Sequence, residues 1–380
     1  MMPSGYPVRQ WPFTATVTFV ELTAAQTRVA RTHAQLLAGP RSDQVADAVR
    51  HVVALQGQDV RANRMSVRVR TNGLTGADVD AACAAGSVVR TWAMRGTLHM
   101  LAAEDVGWVV GLLGPRFAFA FRSRRLQLGL DEATCDRATG EIREVLAGGK
   151  VLTRAEIMAA IDVDVQGQAQ AHLLGYAALT GVICRGPEMS DAEPAYTLLE
   201  EWAGPSEVLP EEKAQARLAQ RYLAAYGPAT AEDFAAWSGL PLGPARAGFA
   251  EIAAQLREVV ADGRVAYVLD DPVLDDRTTV RLFGHFETYL LGYRTRENAV
   301  PAEYAKVLQT GGGFIMPSVS VNGRIAGLWK HAWRKEQKQD LMVVTLEPFG
   351  VIAKQLLPAI RAEVADIGRF LGVRARLDVE

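Results

Sequence analysis

The sequence has few cysteines and few histidines. Its three cysteines, Cys83, Cys135 and Cys184, lie far apart and form no CxxC pair, and none of its six histidines belongs to an HExxH pattern. Zinc sites and disulfide frameworks are built from such paired spacings. We therefore expect no metal, no other cofactor and a reducing, cytoplasmic location.

Long apolar runs and a strong net charge are also missing. No run of about 18 apolar residues occurs, so we expect no membrane-spanning helix. The 380 residues carry a formal net charge of only -2, which argues mildly against a nucleic-acid-binding protein unless basic residues are concentrated locally. The first residues contain no clear cleavage signal, and we interpret residues 1–21 as a disordered or loosely ordered tail.

One segment, residues 211–275, has the element order of a winged helix-turn-helix. A helix ending at Tyr226 precedes a short helix predicted over Ala231–Ser238, for which Thr230 is a capping residue. A third helix follows, and Asp262-Gly263 then predicts a tight turn between two strands. Helix, helix, helix and hairpin is the order expected of this DNA-binding motif.

The same order recurs less clearly upstream, in residues 22–115 and 116–210. We therefore predict an α+β fold, mainly helical, with three tandem winged helix-turn-helix units. Residues 276–380 are predicted to form a β-rich C-terminal portion with a closing helix, because several strand patterns surround a turn at Asn322-Gly323.

Gln56 and Gln58, separated by Gly57, are the candidate catalytic residues. A side-chain amide can hold a water or a sugar, but it is not a strong acid or base. It therefore suits a reaction whose leaving group is already activated, such as the excision of an alkylated base. The pattern alone is weak, because a second copy occurs at Gln166 and Gln168 and either copy also fits a polar pair at a helix end.

Candidate DNA-binding residues form several basic groups. Arg61, Arg64 and Arg68 share one face of the helix that follows the glutamines, where they would contact phosphates or form an ordinary solvated face. Asp59 is expected to cap that helix. The remaining candidates are Arg95, Thr97 and His99 on a predicted hairpin, Arg122, Arg124 and Arg125 after the interleaved Phe117, Phe119 and Phe121, Arg324 at a hairpin tip, and Lys330 beside His331, Arg334, Lys335 and Lys338.

Each of these groups has a plainer explanation. His99 on a strand is by default a structural histidine. The three phenylalanines fit stacking on bases, but we expect them in the core between units. The basic residues around Lys330 also fit protection of an edge strand.

Six stretches of the chain resemble the tandem winged-helix DNA glycosylases of the AlkZ and YcaQ type. They are Leu22–Arg28, Leu55–Asp59, Arg90–His99, Tyr226–Thr230, Tyr289–Arg294 and Val321–Arg324. The resemblance implies three winged-helix units around a DNA-binding concavity. It also implies a catalytic QxQ motif at Gln56 and Gln58, not at the second copy. The middle residue in that family is usually larger and apolar, whereas here it is Gly57.

The activity implied is that of a monofunctional DNA glycosylase. It would hydrolyse the N-glycosidic bond of N7-alkylated, cationic purines in double-stranded DNA, including bulky adducts and interstrand crosslinks, in DNA repair or in self-resistance to a genotoxin. The alternatives are a non-enzymatic winged-helix DNA-binding protein or transcriptional regulator, and a resistance protein that sequesters a drug. Regulators typically bind as symmetric dimers, so three unlike units in one chain favour a monomeric enzyme.

Overall fold

The chain folds into an α+β structure, which confirms the predicted fold class. The computed structural model describes residues 20–187, 194–311, 313–336 and 339–378. Its helices are α1 Ala24–Ala34, α2 Val45–His51, α3 Val60–Arg68, α4 Gly76–Ala84, α5 Ala103–Ala120, α6 Arg122–Gln127, α7 Glu132–Leu146, α8 Arg154–Ala160, α9 Gln168–Leu179, α10 Leu199–Ala203, α11 Glu211–Tyr226, α12 Ala231–Ser238, α13 Leu242–Glu251, α14 Ala305–Leu308 and α15 Leu357–Leu371.

Within the described ranges, the strands form three sheets, of three, five and six strands. They are β1 Val20–Leu22, β2 Ala54–Gln56, β3 Val88–Trp92, β4 Leu98–Ala102, β5 Leu152–Thr153, β6 Ile183–Arg185, β7 Ala195–Leu198, β8 Arg257–Ala261, β9 Arg264–Val268, β10 Val280–Phe283, β11 Ser318–Val321, β12 Arg324–Glu336, β13 Gln339–Pro348 and β14 Arg374–Asp378. No helix in the described ranges is long and apolar enough to cross a membrane.

Helix α12 has the bounds that its sequence predicts. The Thr230 hydroxyl accepts a hydrogen bond from the Asp233 N–H at 3.1 Å, and the Asp233 carboxylate accepts one from the Thr230 N–H, which closes a capping box. The helix ends at Gly239, whose φ of 81° lies in the left-handed region that glycine adopts readily. Its buried Trp237 packs against Tyr222 of α11. Local signals at both ends therefore fix this helix.

The start of the described chain joins the sheet of the hairpin at residues 257–268. Strand β1 pairs in parallel with β8, and β8 pairs in antiparallel with β9. The predicted loose tail, residues 1–21, lies outside the described residues up to position 19. Its last two residues, Val20 and Glu21, belong to β1, so that part of the prediction was wrong. The buried Leu22 belongs to the apolar cluster of this sheet.

One continuous sheet joins strands from the first two predicted units. Its order is β2-β4-β3-β6-β7-β5, and β3 meets β6 where Arg90 pairs with Arg185. Helix α5 also runs through the predicted boundary at residues 115 and 116. The interpretation as three winged-helix units stays a prediction, but the first two regions share a sheet and a helix.

The C-terminal sheet has the order β10-β11-β12-β13-β14, and α15 packs on it through Ile360, Val364 and Ile367. Helix α15, Leu357–Leu371, is the closing helix that the sequence predicts. It also reaches α3, because carboxylates on α15 bind an arginine of α3. The closing helix is therefore packed directly behind the segment that follows the two glutamines.

Candidate active site

Gln56 lies at the end of β2 and is held on both sides of its backbone. It is 6% exposed and pairs in register with His99 of β4. Its N–H donates to the Thr288 hydroxyl at 3.4 Å, and its carbonyl accepts from the Asn63 amide at 2.9 Å. The backbone at Gln56 is therefore fixed by residues of α3, β4 and the C-terminal portion.

Gly57 carries the chain from this strand toward the surface. Its N–H donates to the Leu98 carbonyl at 2.8 Å, and a Cβ at this position would lie only 3.1 Å from the carbonyl carbon of His99. A larger residue would therefore press on β4. The next residue, Gln58, is exposed, and Asp59 then accepts from the Ala62 N–H at 2.7 Å, which confirms its predicted role as a cap of α3.

The side chains of the two glutamines contact each other. Nε2 of Gln56 donates to Oε1 of Gln58 at 2.9 Å and approaches the Thr97 hydroxyl at 3.4 Å. Oε1 of Gln56 accepts from Nη2 of Arg95 at 3.1 Å. Gln56 is thus bonded through both ends of its amide, whereas the exposed Gln58 is bonded to it through its oxygen.

Arg95 lies in the tight turn between β3 and β4 with a φ of 55°. Its guanidinium donates to Gln56 and also to the carbonyl of Trp237, near the C-terminal end of α12. Burial lowers its pKa to about 10, so the group stays charged at neutral pH. The prediction that Arg95 contacts DNA does not fit this position, because its donors are directed into the protein.

His99 is a neutral, structural histidine. Its Nδ1 lies 2.9 Å from the Thr97 carbonyl and so carries the proton, which leaves Nε2 to accept from Arg95 at 3.4 Å. Burial, together with the charge of Arg95, lowers its pKa to about 3. His99 is buried and both of its ring nitrogens contact groups of the protein, so its predicted DNA contact does not fit this position. Half-buried Thr97 supports the site through its hydroxyl and its carbonyl.

The arginines predicted along α3 have three different environments. Arg61 is exposed, and Arg64 binds Asp80 of α4 at 2.5 Å. Arg68 is fully buried and binds Glu363 at 3.0 Å and Asp366 at 2.7 Å, both on α15. It cannot reach a phosphate, so its assignment to the DNA-binding set was wrong.

The arginines near α6 differ in the same way. Arg122 is exposed, and Arg124 is exposed with one nitrogen on the Gln168 side chain at 2.6 Å. Arg125 is buried, donates to the Ala118 carbonyl at 2.6 Å and stacks on Tyr176, so its predicted DNA contact was also wrong. Packing of α5 and α9 around its guanidinium accounts for the difference.

The interleaved phenylalanines also differ in their burial. Phe117 is buried, whereas Phe119 is 77% exposed, contrary to the expected core position. Phe121 is half-buried and lies against Gly96, next to Arg95. The exposed end of α5 and the start of α6 are therefore close to the turn that carries Arg95.

The two candidates on β12 are both exposed, but the hairpin tip does not project freely. Asn322 accepts from the Thr279 N–H at 2.7 Å, and Gly323 packs closely against Tyr289. Arg324 follows this docked turn, and Lys330 binds Glu347 at 2.5 Å. Farther along β12, His331, Trp333, Arg334 and Lys335 are exposed, whereas Lys338 lies outside the described residues.

Several residues that support the site carry no signal in the sequence. Glu287 is fully buried, binds Arg70 at 2.6 Å, and accepts from the Ser66 hydroxyl at 3.0 Å. These two contacts fasten Glu287 to Ser66 of α3 and to Arg70 just beyond that helix, and the next residue, Thr288, contacts Gln56. More than 200 positions separate the partners, so neither periodicity nor spacing could have identified them.

The site contains hydrogen-bonding amides, the hydroxyls of Thr97 and Thr288, a fixed guanidinium and a neutral imidazole. Within the described ranges, no group of three or more His, Cys, Asp or Glu side chains is arranged to hold a metal ion. The second QxQ copy lies elsewhere, where Gln168 begins α9 and accepts from Arg124. Only the first copy has its two amides joined to each other among the hydrogen bonds of the described residues.

Comparison with known proteins identifies the family. A family model described as DNA glycosylase AlkZ-like matches residues 49–370. An interstrand DNA cross-link repair glycosylase of Streptomyces sahachiroi is 29% identical over 370 residues, which cover 92% of this chain and 96% of that protein. The solved structure of the Streptomyces sahachiroi DNA glycosylase AlkZ is similar with a TM-score of 0.79 at 26% identity, covering 94% of this chain and 100% of that one. This chain therefore belongs to the AlkZ-like DNA glycosylases, enzymes that act on N-glycosyl bonds.

Proposed function

We propose that this glycosylase hydrolyses the N-glycosidic bond of N7-alkylated, cationic purines in double-stranded DNA, and that bulky adducts and interstrand crosslinks are among its substrates. The observation that carries the proposal is the pair of joined amides at the end of β2, of which only Gln58 is exposed. The crosslink-repair glycosylase that it resembles supports the second part. The same activity would serve general repair or self-resistance to a genotoxin.

Hydrolysis of such a substrate needs no acid catalyst for the leaving group. When the bond between C1′ and N9 breaks, its electron pair moves to the purine and neutralises the cationic ring, so no acid is needed to protonate the leaving group. The sugar acquires oxocarbenium character, and a water oxygen then bonds to C1′ and releases a proton. Oriented acceptors near the sugar stabilise that charge and hold the water in line.

Gln58 has the free acceptor for this task. A carbonyl oxygen can accept two hydrogen bonds, and Oε1 of Gln58 accepts one of them from Gln56. Its second lone pair is available to a water or to the developing positive charge. Gln56 supports Gln58, and Asp59 acts as a cap.

The neighbouring residues fit a monofunctional glycosylase. A lyase that proceeds through a Schiff base needs a lysine amine as nucleophile, and residues 54–62 contain no lysine. The low pKa of His99, about 3, makes that imidazole a poor base at neutral pH. The proposed reaction therefore depends on position and dipoles more than on proton transfer.

DNA would be held by the exposed basic residues of the predicted set. These are Arg61, Arg122, Arg124, Arg324 and Lys330. We assign them to phosphates, because arginine and lysine on an exposed surface supply affinity without reading the sequence. A monomer with three winged-helix units around a concavity remains the arrangement that we propose for binding the duplex.

Base release from a duplex with a single N7-methylguanine tests the function, and a duplex with one N7-linked interstrand crosslink tests its range. Wild type should release the base. Gln58→Ala and Gln56→Ala should still bind the duplex but lose release, because the acceptor or its support is gone. Gln166→Ala, in the second QxQ copy, is the matched control and should keep full activity. Tight, salt-sensitive binding with no release from either duplex would contradict the proposal.

A further inference from the structure

We propose that Arg95 is a positioning residue that locks the Gln56 amide in one orientation and thereby leaves Gln58 as the glutamine that meets the sugar or the water. The inference rests on the proposed glycosylase function. It assigns Arg95 and the two glutamines different tasks, which the QxQ pattern alone cannot do.

The orientation follows from the chemistry of the three groups. A glutamine amide presents an acceptor oxygen and a donor NH2, and a rotation of 180° exchanges them. A guanidinium can only donate, so the Gln56 oxygen must face Arg95, as the 3.1 Å contact requires. The NH2 then faces Gln58 Oε1 at 2.9 Å and the Thr97 hydroxyl at 3.4 Å.

The reversed amide would be unfavourable on both sides. It would set NH2 against the guanidinium of Arg95, and the Gln56 oxygen against the Gln58 oxygen. To avoid two facing oxygens, Gln58 would have to rotate its own amide and present its NH2 to Gln56. With Arg95 in place, a single arrangement keeps every donor opposite an acceptor and holds Gln58 by its oxygen.

Arg95 itself is held from several directions. It donates to the Trp237 carbonyl, and Nε2 of His99 accepts from the same nitrogen that binds Gln56. The backbone of Arg95 lies so close to Gly239 that a Cβ at that glycine would be 2.9 Å from the Arg95 Cα. The guanidinium is therefore fixed before any substrate arrives, which is the condition for precise support of a catalytic side chain.

The arrangement also separates the Gln56 oxygen from the reaction. That oxygen is occupied by a cation, so it is a poor acceptor for a second positive charge on the sugar. The oxygen of exposed Gln58 accepts from the Gln56 NH2, and among the hydrogen bonds of the described residues it accepts from no guanidinium. Gln56 therefore acts on the reaction through Gln58.

Single-turnover rates and DNA affinities test this division of tasks. The variants are Gln56→Ala, Arg95→Met, Arg95→Lys and the double variant Arg95→Met/Gln56→Ala, on the N7-methylguanine duplex with enzyme in excess. Loss of one oriented hydrogen bond at a reacting centre slows catalysis by about 100-fold, so Arg95→Met should show that loss with Kd changed by less than about twofold. The double variant should be no slower than Gln56→Ala, because residues that act in series are not additive.

Arg31→Met is the matched control. Arg31 is half-buried, donates to the Pro228 carbonyl at 3.0 Å and stacks on Tyr293, but contacts neither glutamine. It should leave the rate unchanged. If Arg95→Met does not fold, Arg95→Lys keeps the charge and should retain part of the rate, and added guanidinium ion should increase that rate.

A second measurement does not depend on turnover. With glutamine side chains labelled with nitrogen-15, the Gln56 NH2 signals should be well resolved and slow to exchange in wild type, and should lose both properties in Arg95→Met. Multiplicative loss in the double variant, unchanged Gln56 signals, or an effect confined to Kd would overturn the role of Arg95. Absence of base release by wild type would instead refute the proposed function. The role of Arg95 in holding Gln56 would then be tested by the nitrogen-15 signals alone.

Discussion

Replacing His99 by glutamine should make the stability of this protein less sensitive to acid. The folded state holds the pKa of His99 near 3, through burial and the charge of Arg95, whereas the unfolded chain has an ordinary histidine pKa of 6.5. Between these two pKa values, His99 is protonated in the unfolded state but not in the folded state. The free energy of unfolding therefore falls as the pH decreases from 6.5 toward 3. Each pH unit in this window costs about 1.4 kcal/mol, or about 2 kcal/mol at about pH 5 relative to neutrality.

Urea unfolding at about pH 7 and about pH 5 measures this contribution. Wild type should lose about 2 kcal/mol more than His99→Gln over that interval. The other titrating groups are common to both proteins and cancel in the difference. Glutamine is the suitable replacement, because its oxygen can still accept from Arg95 without gaining a proton. Equal losses in the two proteins would show that His99 is not held neutral by its surroundings.

The same reasoning makes a prediction for activity. Since His99 stays neutral, the rate of base release should be nearly constant between about pH 6 and about pH 8. A histidine acid with an ordinary pKa would instead lose about tenfold in rate for each unit above that pKa. A decline of that size in wild type, absent from His99→Gln, would refute the structural role of this residue.

Two further pairs of variants separate surface contacts from buried ones. Arg122→Gln should lower the slope of log affinity against log salt concentration by about 0.9, as expected for the loss of one phosphate contact. Arg125→Gln should leave that slope unchanged and lower the melting temperature. Binding titrations at several salt concentrations and thermal unfolding measure the two effects. Glu287→Ala should cost about 3–5 kcal/mol in urea unfolding, because it leaves the buried charge of Arg70 unpaired. Asp80→Asn, which breaks the partly exposed pair with Arg64, should cost about 1 kcal/mol or less. Similar costs for these two acidic residues would contradict the burial argument.

The sequence predicts those elements whose signals are local. Helix α12 could be predicted because its cap at Thr230 and its terminating Gly239 lie next to it. The turn at Asp262-Gly263 could also be predicted, since both residue types tolerate the positive φ that a tight hairpin needs and both adopt it here. The shared sheet could not be predicted, because its β3–β6 contact joins residues almost a hundred positions apart.

The arginines of α3 show the limit for the site. Periodicity correctly indicates that Arg61, Arg64 and Arg68 share a face, but it contains no information about what covers that face. The carboxylates of α15, nearly 300 positions along the chain, neutralise Arg68 and remove it from the surface. The sequence around Gln56 and Gln58 predicts them as catalytic residues, and that role stays a prediction. The contact of Thr288 with Gln56, and that of Trp237 with Arg95, form only on folding and carry no signal in the sequence.

The sheet common to residues 54–102 and 152–198 limits where this protein can be shortened. A fragment ending at residue 115 would contain both glutamines and β3, but it would lack the strands that continue the sheet beyond β3. The bare edge of β3 would expose unpaired N–H and C=O groups, which promote association with other chains. The same cut would remove Phe117 from the buried cluster beneath the turn of Arg95. A soluble fragment that carries the glutamines must therefore extend at least through β7.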